Sequence, residues 1–401
     1  MNPKIIKDPV HGYVEVDEEL LPLLDSPAIQ RLRYIRQLGF SYLVYPGANH
    51  TRFEHSLGTM HLAGVACRQF CLSKEDRQLV MVSALLHDVG HGPFSHASEP
   101  LMKARLGRNH DDIVGIVDAQ FVPLLELLGI DPRDVCAVVK GCHPLSGIIH
   151  GDLDVDRMDY LLRDAYYTGA PYGTVDAHRL IRNIHLAPEG VVLDENGISA
   201  AESLLIARTM MRPAVYYHHV SRIGECMFQV AMLDHLATYP DEFFEQVCVF
   251  DDSECMHALR NSKSILARNM ADRIYGRRLY KRAVYAGQDQ VNVAAFLSGW
   301  SLERSRKVAA DIAEMAGCPV SDVLVDIPPV PMEMSIEVQV KNQHDLVGFS
   351  DLSPRLVMLN QTRREQWRLG VYTLPEHRDK VAEAAAEVLH IKKPTRQDTL
   401  F

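Results

Sequence analysis

The sequence lacks several features that would place the protein in a membrane or outside the cell. No apolar stretch approaches the roughly 18 to 20 residues needed to span a bilayer, and Met1–Ile6 lacks the apolar core of a signal peptide. The eight cysteines include no CxxC pair, which is typical of reduced, mostly buried thiols. We therefore expect a cytoplasmic protein that has no membrane segment.

Positive charge is also scarce. The 401 residues include 42 Lys and Arg against 52 Asp and Glu, which gives a formal net charge of −10. Because binding to the nucleic-acid backbone depends on cationic side chains, we do not expect a nucleic-acid-binding surface. A chain of this length that is 47% hydrophobic can bury a large core, so we predict one large domain and a smaller one.

Hydrophobic periodicity predicts a mainly α-helical protein. Residues 22–39 and 52–72 show helical spacing, as does nearly every later segment up to about residue 310. The exceptions are residues 3–17 and 185–200, where strand-forming residues flank turns and predict hairpins.

Composition changes at the proline-rich residues 326–331. Beyond them, residues 335–340 and 367–374 resemble strands, and residues 375–389 form an alanine-rich amphipathic pattern typical of a helix. The sequence therefore predicts a large region, residues 1–325, and a small C-terminal α/β subdomain, residues 330–401.

A ten-residue segment, His87–His96, is the first candidate for chemistry. It follows the apolar helical run Leu79–Leu86, and its glycines and proline end that helix. Three imidazoles and a carboxylate thus lie at the end of a buried helix and in the turn that follows. Neutral imidazole nitrogen with carboxylate oxygen suits Mn, Fe, Zn or Ni, although an isolated His-Asp pair is also compatible with simple packing.

A second informative segment is the acidic stretch Asp152–Asp164. Asp156, Tyr160 and Asp164 are spaced i, i+4, i+8, so they lie along one helical face beside aliphatic residues. This pattern indicates the wall of a pocket. The alternative is that the first acidic residues only stabilise a helix N-terminus.

Upstream, Arg52 and His55 are three residues apart and share a helical face. His55, the pair His87 and Asp88, and Asp156 form a scattered H…HD…D set. Two imidazoles and two carboxylates around a cation leave positions for water and a phosphate oxygen, and a metal there activates water and polarises a phosphoryl group. The pattern indicates hydrolysis of a phosphate ester or anhydride, with a metal core at about residues 50–225.

These residues resemble the HD-domain metal-dependent phosphohydrolases. Within them, the chain is most similar to the deoxynucleoside triphosphate triphosphohydrolases, which include the SAM-and-HD-domain protein of animals and its bacterial relatives. The resemblance covers about residues 4–225 and rests on seven segments, the last of them matching more thinly: Lys4–Gly12, Gln30–Gly39, Tyr45–Ala48, Arg52–Gly58, His87–His96, Asp152–Asp164 and Arg208–Val220. It implies a helical HD-domain fold with a short N-terminal hairpin, and residues 1–325 as the catalytic region. The chain has no room for an N-terminal SAM domain, so we expect a bacterial-type relative.

The resemblance also implies roles for individual residues. The metal ligands would be His55, His87, Asp88 and Asp156, and the metal a divalent transition ion (Mn, Fe, Zn or Ni), with Mg accompanying the nucleotide. His91 and His110 would line the phosphate cleft, His96 would be the general acid, and Asp154 would orient one of these histidines.

The implied substrate-binding residues divide by the part of a deoxynucleoside triphosphate that they would contact. Arg52, Arg157 and Arg208 would bind phosphates, with Arg157 where the animal enzyme has lysine. Gln37, Tyr160 and Asp164 would surround the deoxyribose, and Leu38 and Tyr216 would flank the base.

A nucleotide effector site is implied as well. The residues that match the animal enzyme's guanine-nucleotide site between subunits are Lys4, Ile5, Asp25, Gln30 and Arg33. Arg277 would replace part of the positive charge that the acidic stretch 194–196 does not supply. We therefore expect a homo-oligomer, either a dimer or a tetramer.

Two other functions remain open from the sequence. One is a nucleotidase or a phosphodiesterase acting on other nucleotides or on single-stranded nucleic acid. The other is a nucleotide-sensing regulatory protein with a vestigial site, which the complete H…HD…D set argues against.

Overall fold

The computed structural model describes residues 3–187, 190–240, 243–292, 301–334, 336–341 and 346–392. Over these residues the chain is mostly helical, which confirms the predicted mainly α fold. No helix in the described part of the chain combines the length and the apolar character needed to cross a bilayer.

Nineteen helices and nine strands are assigned within the described residues. The strands are β1 (Lys4–Asp8), β2 (Gly12–Val16), β3 (Ile184–Ala187), β4 (Gly190–Asp194), β5 (Lys281–Gly287), β6 (Val323–Asp326), β7 (Gln339–Lys341), β8 (Leu346–Gly348) and β9 (Arg368–Thr373). The helices up to the acidic segment are α1 (Leu21–Leu24), α2 (Pro27–Arg31), α3 (Arg52–Gln69), α4 (Lys74–Leu86), α5 (Glu99–Leu106), α6 (Val114–Gln120), α7 (Val122–Leu127), α8 (Pro132–Val139) and α9 (Val155–Thr168). The later helices are α10 (Ala177–Arg182), α11 (Ile198–Met211), α12 (His219–Leu236), α13 (Phe243–Cys248), α14 (Asp252–Arg260), α15 (Ile265–Tyr275), α16 (Leu302–Ala316), α17 (Phe349–Leu352), α18 (Arg355–Gln366) and α19 (Arg378–Val388).

The chain divides into two compact units that are interleaved along the sequence. The first unit comprises Met1–Tyr216, Glu245–Cys255 and Met334–Leu359, and the second comprises Tyr217–Phe244, Met256–Glu333 and Asn360–Phe401. The sequence prediction had placed a single boundary between 325 and 330. The assignment of residues 1–325 as the catalytic region and of residues 330–401 as a separate subdomain stays a prediction.

The first unit begins with the predicted hairpin. Strands β1 and β2 pair antiparallel from Lys4 opposite Val16 to Asp8 opposite Gly12. Gly12 has a φ of +79°, a conformation that glycine adopts without strain. Val14 and Val16 are fully buried, because alternate residues of a strand point to the same face.

The predicted helical stretch at residues 22–39 is wrong beyond its first part. Pro22 and Pro27 lie in the first turns of two separate short helices, α1 and α2, where proline's missing N–H costs nothing. Ile35 is then extended, and Arg36 forms a β-bridge with Thr51. The segment therefore runs beside the start of α3 instead of continuing as a helix.

Helix α3 is the centre of the first unit and packs against α4 and α9. Thr51 and Glu54 form a capping box that fixes where α3 begins. The core here is aliphatic, and Met60, Leu62 and Ala63 of α3 are fully buried. The predicted hairpin at 185–200 is confirmed by β3 and β4, which belong to a four-stranded sheet in the order β3-β4-β7-β8. Of the predicted strand at 335–340, only its end falls in β7, and Ser335 lies outside the described residues.

The second unit contains a three-stranded antiparallel sheet in the order β5-β9-β6. Helices α16 and α19 pack on this sheet, and α12 packs on α15. The predicted strand at 367–374 is confirmed by β9, and most of the predicted helix at 375–389 is confirmed by α19.

Candidate metal centre

The segment after α4 turns sharply and brings its polar side chains back toward α3. Gly90 allows this, because a Cβ atom there would lie 2.1 Å from the carbonyl oxygen of His110. Phe94 and Ser95 both have positive φ angles, of 57° and 56°, which costs free energy for residues other than glycine. Asp252 holds the turn in place, since its Oδ1 accepts a 2.6 Å hydrogen bond from the backbone N–H of Phe94.

The four predicted metal ligands converge on one point of the first unit. Nε2 of His55 lies 2.8 Å from Oδ1 of Asp156 and 3.7 Å from Oδ2 of Asp88. Nε2 of His87 lies 3.4 Å from Oδ1 of Asp88 and 3.5 Å from Oδ1 of Asp156. Residues from α3, from the end of α4 and from α9 thus meet although up to 101 positions separate them in the sequence.

These four side chains fit a divalent metal. Ligand atoms at the roughly 2.0 to 2.2 Å bond lengths usual for nitrogen and oxygen ligands lie about 3 Å from one another, close to the spacings observed. Nε2 of His87 is buried and has no hydrogen-bond partner, whereas buried polar atoms are normally paired. The geometry therefore provides a His/Asp site for a divalent cation. The assignment of the four as ligands stays a prediction.

Both carboxylates of this site are held in the ionised form. Burial opposes ionisation, but the guanidinium of Arg52 and the neighbouring histidines keep the pKa of Asp88 well below its usual value. For Asp156, the neighbouring imidazoles of His55 and His87 likewise outweigh burial and lower the pKa. Ionised carboxylates are the form that binds metal.

The predicted catalytic histidines lie beside the metal site as a separate cluster. The His91 ring stacks on His110 with centroids 4.0 Å apart, and the His91 and His96 centroids are 5.0 Å apart. Both ring nitrogens of His91 are buried without a hydrogen-bond partner, and burial lowers its pKa well below the usual value. His91 is therefore neutral.

Glu99, which the sequence analysis missed, connects the other two histidines. Its Oε2 lies 2.8 Å from Nδ1 of His96, and its Oε1 forms a hydrogen bond with Nδ1 of His110. Burial opposes these contacts, yet they hold the pKa of Glu99 below its usual value. Its position three residues after His96, at the start of α5, is the local pattern that could have indicated the pair.

Asp154 makes contacts other than the predicted one with a histidine, and its predicted orienting role stays a prediction. Its carboxylate caps the N-terminus of α9 by accepting from the backbone N–H of Arg157, and it also accepts from that of Gly151. Its second contact is an ion pair with the Arg157 guanidinium at 2.6 Å. No contact with a histidine is found for it among the described residues. Asp154 thus positions Arg157. Burial raises the pKa of Asp154 to about 6.

The three predicted phosphate-binding arginines lie in different surroundings. Arg52 is buried and donates to Oδ2 of Asp88 and to Oγ of Ser95, each at 2.9 Å. Arg208 on α11 is half-buried and lies near Tyr160. Burial raises the pKa of Tyr160 to about 12, and the charges of Arg208 and Arg157 oppose that increase. Phosphate binding by all three stays a prediction.

The predicted sugar and base residues surround the far end of α9. Tyr216 donates a 2.8 Å hydrogen bond to Oδ2 of Asp164, and Nε2 of His50, a residue not predicted, lies 2.8 Å from Oδ1. The Tyr160 and Tyr216 rings are 6.2 Å apart, edge to face. Gln37 is joined to this group because its backbone N–H donates to the carbonyl of His50.

Leu38 follows Gln37 and is partly buried against the core of the first unit. Oε1 of Gln37 is buried and lacks a hydrogen-bond partner. A buried, unpaired amide oxygen is costly, so this atom is a candidate acceptor for a ligand hydroxyl.

The predicted effector residues are surface residues of the first unit, apart from Arg277. Lys4 and Ile5 are exposed on β1, and Asp25 is exposed after α1. Gln30 bridges the carbonyl of Leu24 and Nε of Arg33, each at 2.8 Å. Arg277 belongs to the second unit, and the effector role of the set stays a prediction.

The sequence analysis also missed the residues behind His55. Nδ1 of His55 lies 2.8 Å from Oδ2 of Asp159, and Asp159 in turn contacts His11 and Arg163. Asp159 is not one of the residues spaced i, i+4, i+8 (Asp156, Tyr160 and Asp164). The spacing of those residues therefore gave no indication that Asp159 contacts His55.

Helical fold, converging imidazoles and carboxylates, and the order H…HD…D together define an HD-domain protein. The HD domain model matches residues 52–164, which include all four predicted ligands, and the HD associated region model matches residues 175–400. The chain belongs to this family.

Relatives agree with this assignment. An uncharacterized protein of Methanocaldococcus jannaschii is 32% identical over 379 residues, which cover 93% of this chain and 80% of that protein. The deoxynucleoside triphosphate triphosphohydrolase SAMHD1 of Bos taurus is 25% identical over 436 residues, covering 91% and 72%. The crystal structure of a phosphohydrolase from Bacteroides thetaiotaomicron superposes with a TM-score of 0.73 at 25% identity and covers 93% of this chain and all of that one. Family and neighbours support HD phosphohydrolase activity.

Proposed function

We propose that the protein hydrolyses deoxynucleoside triphosphates to deoxynucleoside and inorganic triphosphate with the help of a divalent metal. The single observation that carries this proposal is the arrangement along α9. Asp156 lies at the candidate metal centre, Tyr160 lies one turn further, and Asp164 lies between His50 and Tyr216 at the far end, where Gln37 is bonded to the backbone of His50. Asp156 and Asp164 are eight residues apart, about 12 Å along the helix, so one helix joins the candidate metal centre to the proposed sugar pocket.

The sugar end supports a preference for deoxyribose. Both carboxylate oxygens of Asp164 are occupied by Tyr216 and His50, which fix its orientation. Oε1 of Gln37 is buried and unpaired, so it accepts from the 3′-hydroxyl in our proposal. A pocket that pairs one hydroxyl with a fixed partner discriminates strongly against a ligand that lacks that hydroxyl. Ribose is excluded, in our proposal, because the wall formed by Gln37, Tyr160 and Asp164 leaves no space for a 2′-hydroxyl.

The proposed metal ligands are His55, His87, Asp88 and Asp156, and a divalent cation bound there supplies Lewis-acid activation of a water molecule and of a phosphoryl oxygen. This ligand set suits Mn, Fe, Zn or Ni, and Mg accompanies the triphosphate. The residues around the site then have separate tasks. Arg52, Arg157 and Arg208 hold the triphosphate, and Arg52 also donates to Asp88.

The reaction is an in-line displacement at the α-phosphorus. The water oxygen forms a bond to phosphorus while the bond from phosphorus to the 5′ oxygen breaks, and the 5′ oxygen must receive a proton. His96 supplies it in our proposal. Because Glu99 holds Nδ1 of His96, Nε2 is the nitrogen left to deliver the proton, and 63% of this side chain is exposed.

The test is a product analysis. Purified protein is incubated with Mn or Mg and each deoxynucleoside triphosphate, with and without dGTP, and the products are separated by chromatography. We expect deoxynucleoside and triphosphate in equal amounts. Formation of nucleoside monophosphate alone, or no turnover under any of these conditions, would contradict the proposal, and the first result would indicate cleavage between the α- and β-phosphates with release of pyrophosphate.

The proposal also covers a nucleotide effector and the oligomeric state. We propose a nucleotide effector at the set Lys4, Ile5, Asp25, Gln30, Arg33 and Arg277, and assembly into a dimer or tetramer. Measuring the native mass with and without dGTP tests both, and an unchanged monomer would contradict them.

A further inference from the structure

The N-terminal hairpin, 39 residues or more before the first proposed ligand, is tied to that ligand by buried charge. The connecting residue is Asp159 on α9, whose side chain is completely buried. Its Oδ2 lies 2.8 Å from Nδ1 of His55 and accepts a 2.9 Å hydrogen bond from Nε of Arg163. Its Oδ1 lies 2.6 Å from Nε2 of His11 and accepts a 2.8 Å hydrogen bond from Nη2 of Arg163.

The hairpin closes this network from the other side. Nη1 of Arg163 donates a 2.8 Å hydrogen bond to Oδ2 of Asp8, the last residue of β1. Oδ1 of Asp8 accepts from the backbone N–H groups of Val10 and His11, at 2.9 and 2.8 Å. Asp8 thus fixes the turn that carries His11, and both the turn and the arginine fix Asp159.

Asp159 determines which nitrogen of His55 is available. A carboxylate can only accept hydrogen bonds, so Nδ1 of His55 carries the hydrogen in this contact. Nε2 faces away from Asp159, to the point where Asp88 and Asp156 converge, and would offer its lone pair to a metal bound there. Histidines that bind metal commonly have such a carboxylate behind them, which sets the tautomer and the ring orientation.

Gly58 shows how tightly the network is enclosed. It lies on α3 one turn after His55, and a Cβ atom there would approach Oδ1 of Asp159 to 1.9 Å and Nη2 of Arg163 to 2.3 Å. Any side chain at this position would therefore displace the pair. By contrast, a Cβ at Gly64 of the same helix would meet nothing closer than the flexible end of Met81, at 3.3 Å.

We propose that Asp159, supported by His11, Arg163 and Asp8, is the positioning residue of the metal centre, and that the N-terminal hairpin thereby helps to determine metal affinity. This inference rests on the proposed metal site but not on the proposed substrate. It assigns a role to the segment Lys4–Gly12, which the proposed reaction does not otherwise use apart from the effector contacts.

The experiment measures metal binding directly. Metal-stripped protein is titrated with Mn and with Zn against a chelator, and Co is bound for its absorption spectrum, which reports ligand geometry. For Asp159→Asn we expect a 10- to 100-fold loss of affinity and an altered Co spectrum, the range typical of residues that orient metal ligands. Gly58→Ala should behave in the same way, while Gly64→Ala is the matched control and should bind like the unaltered protein.

A second variant guards against misfolding of Asp159→Asn, because that substitution leaves Arg163 and Asp8 with altered charge balance. His11→Ala removes one contact from Oδ1 and leaves the Arg163 pair intact, and we expect about a tenfold loss of affinity. Unchanged affinity and an unchanged Co spectrum in His11→Ala and in any folded Asp159→Asn would overturn the inference while the proposed function stands. Absence of metal binding by the unaltered protein would overturn both.

Discussion

Two buried guanidinium–carboxylate pairs, one in each compact unit, have similar geometry and different surroundings. In the first unit, Nε and Nη2 of Arg163 donate hydrogen bonds of 2.9 and 2.8 Å to the carboxylate of Asp159. In the second unit, the same two atoms of Arg222 donate hydrogen bonds of 3.0 and 2.6 Å to the carboxylate of Asp326. Both are forked pairs, the strongest form of this interaction.

The difference lies in what else each carboxylate contacts. Asp326 also accepts from the hydroxyl of Tyr372, and the remaining guanidinium nitrogen of Arg222 donates to Glu225. Asp159 instead accepts from His55, whose other nitrogen faces the candidate metal centre. The contacts of the Arg222 cluster therefore serve cohesion of the second unit, while those of the Arg163 cluster extend to the candidate metal centre.

Removing a proposed metal ligand should produce the largest effect. It tests the candidate metal centre, to which the contacts of the Arg163 cluster extend. For His87→Ala we expect activity to fall by about 1000-fold or more, because metal stabilisation of a transition state is worth several kcal/mol and each 1.36 kcal/mol is a factor of ten. Metal content measured by elemental analysis should fall in parallel. A variant that keeps both metal and activity would remove His87 from the site.

Breaking the pair of the second unit should affect stability alone. Removing one partner of a buried ion pair costs about 3 to 5 kcal/mol, because the other charge is left uncompensated. We expect Arg222→Ala to lose this much free energy of unfolding in urea, with unchanged metal affinity of the folded protein. The double variant Arg222→Met with Asp326→Leu should recover much of the loss. Loss of metal affinity in either variant would contradict the comparison.

The general acid should have an effect on turnover but not on metal binding. We expect His96→Ala to lower kcat by about 100- to 1000-fold, within the range usual for general acid catalysis, while metal content stays at one ion per chain. Glu99→Gln keeps the shape of the contact without its charge and should lower kcat less. Full turnover in His96→Ala would transfer the proton-donating role to another group.

The sugar pocket should produce the smallest effect. Gln37→Ala removes one proposed hydrogen bond, worth about 1 kcal/mol or somewhat more, so kcat/KM for deoxynucleoside triphosphates should fall about tenfold. Turnover of 3′-deoxy analogues, which lack the hydroxyl, should be unaffected by the substitution. An equal loss for both kinds of substrate would show that Gln37 does not contact the 3′-hydroxyl.

Elements with strong local patterns could be predicted from the sequence. The alternation in β2, the apolar run of α4 and the spacing of Asp156, Tyr160 and Asp164 on α9 are all present as expected. The stretch 22–39 was predicted less well, because apolar residues at helical spacing also suit short helical turns packed on a core. Its two prolines mark the starts of α1 and α2, which periodicity alone does not show.

The support behind the site could not be predicted from local patterns. His11 and Asp159 are separated by 148 positions, and Asp8 and Arg163 by 155. Nothing in the local sequence around Asp159 distinguishes it from the other acidic residues of the segment, since its contacts depend on where α3 and the hairpin pack. Asp154 illustrates the reverse case, because its position before α9 is a typical N-cap position and its capping role was locally visible.

The hairpin's link to α9 also bears on the order in which the protein is made. Asp8 leaves the ribosome 155 residues before Arg163, and at about 5 to 20 residues per second this interval lasts roughly 8 to 31 s. During that time the Asp8 carboxylate has its local partners, the backbone N–H groups of Val10 and His11, but not Arg163. The metal centre is consequently assembled by a contact of high sequence separation, which forms slowly because chain entropy must be lost first. Metal uptake should follow, and not guide, the meeting of the hairpin with α9.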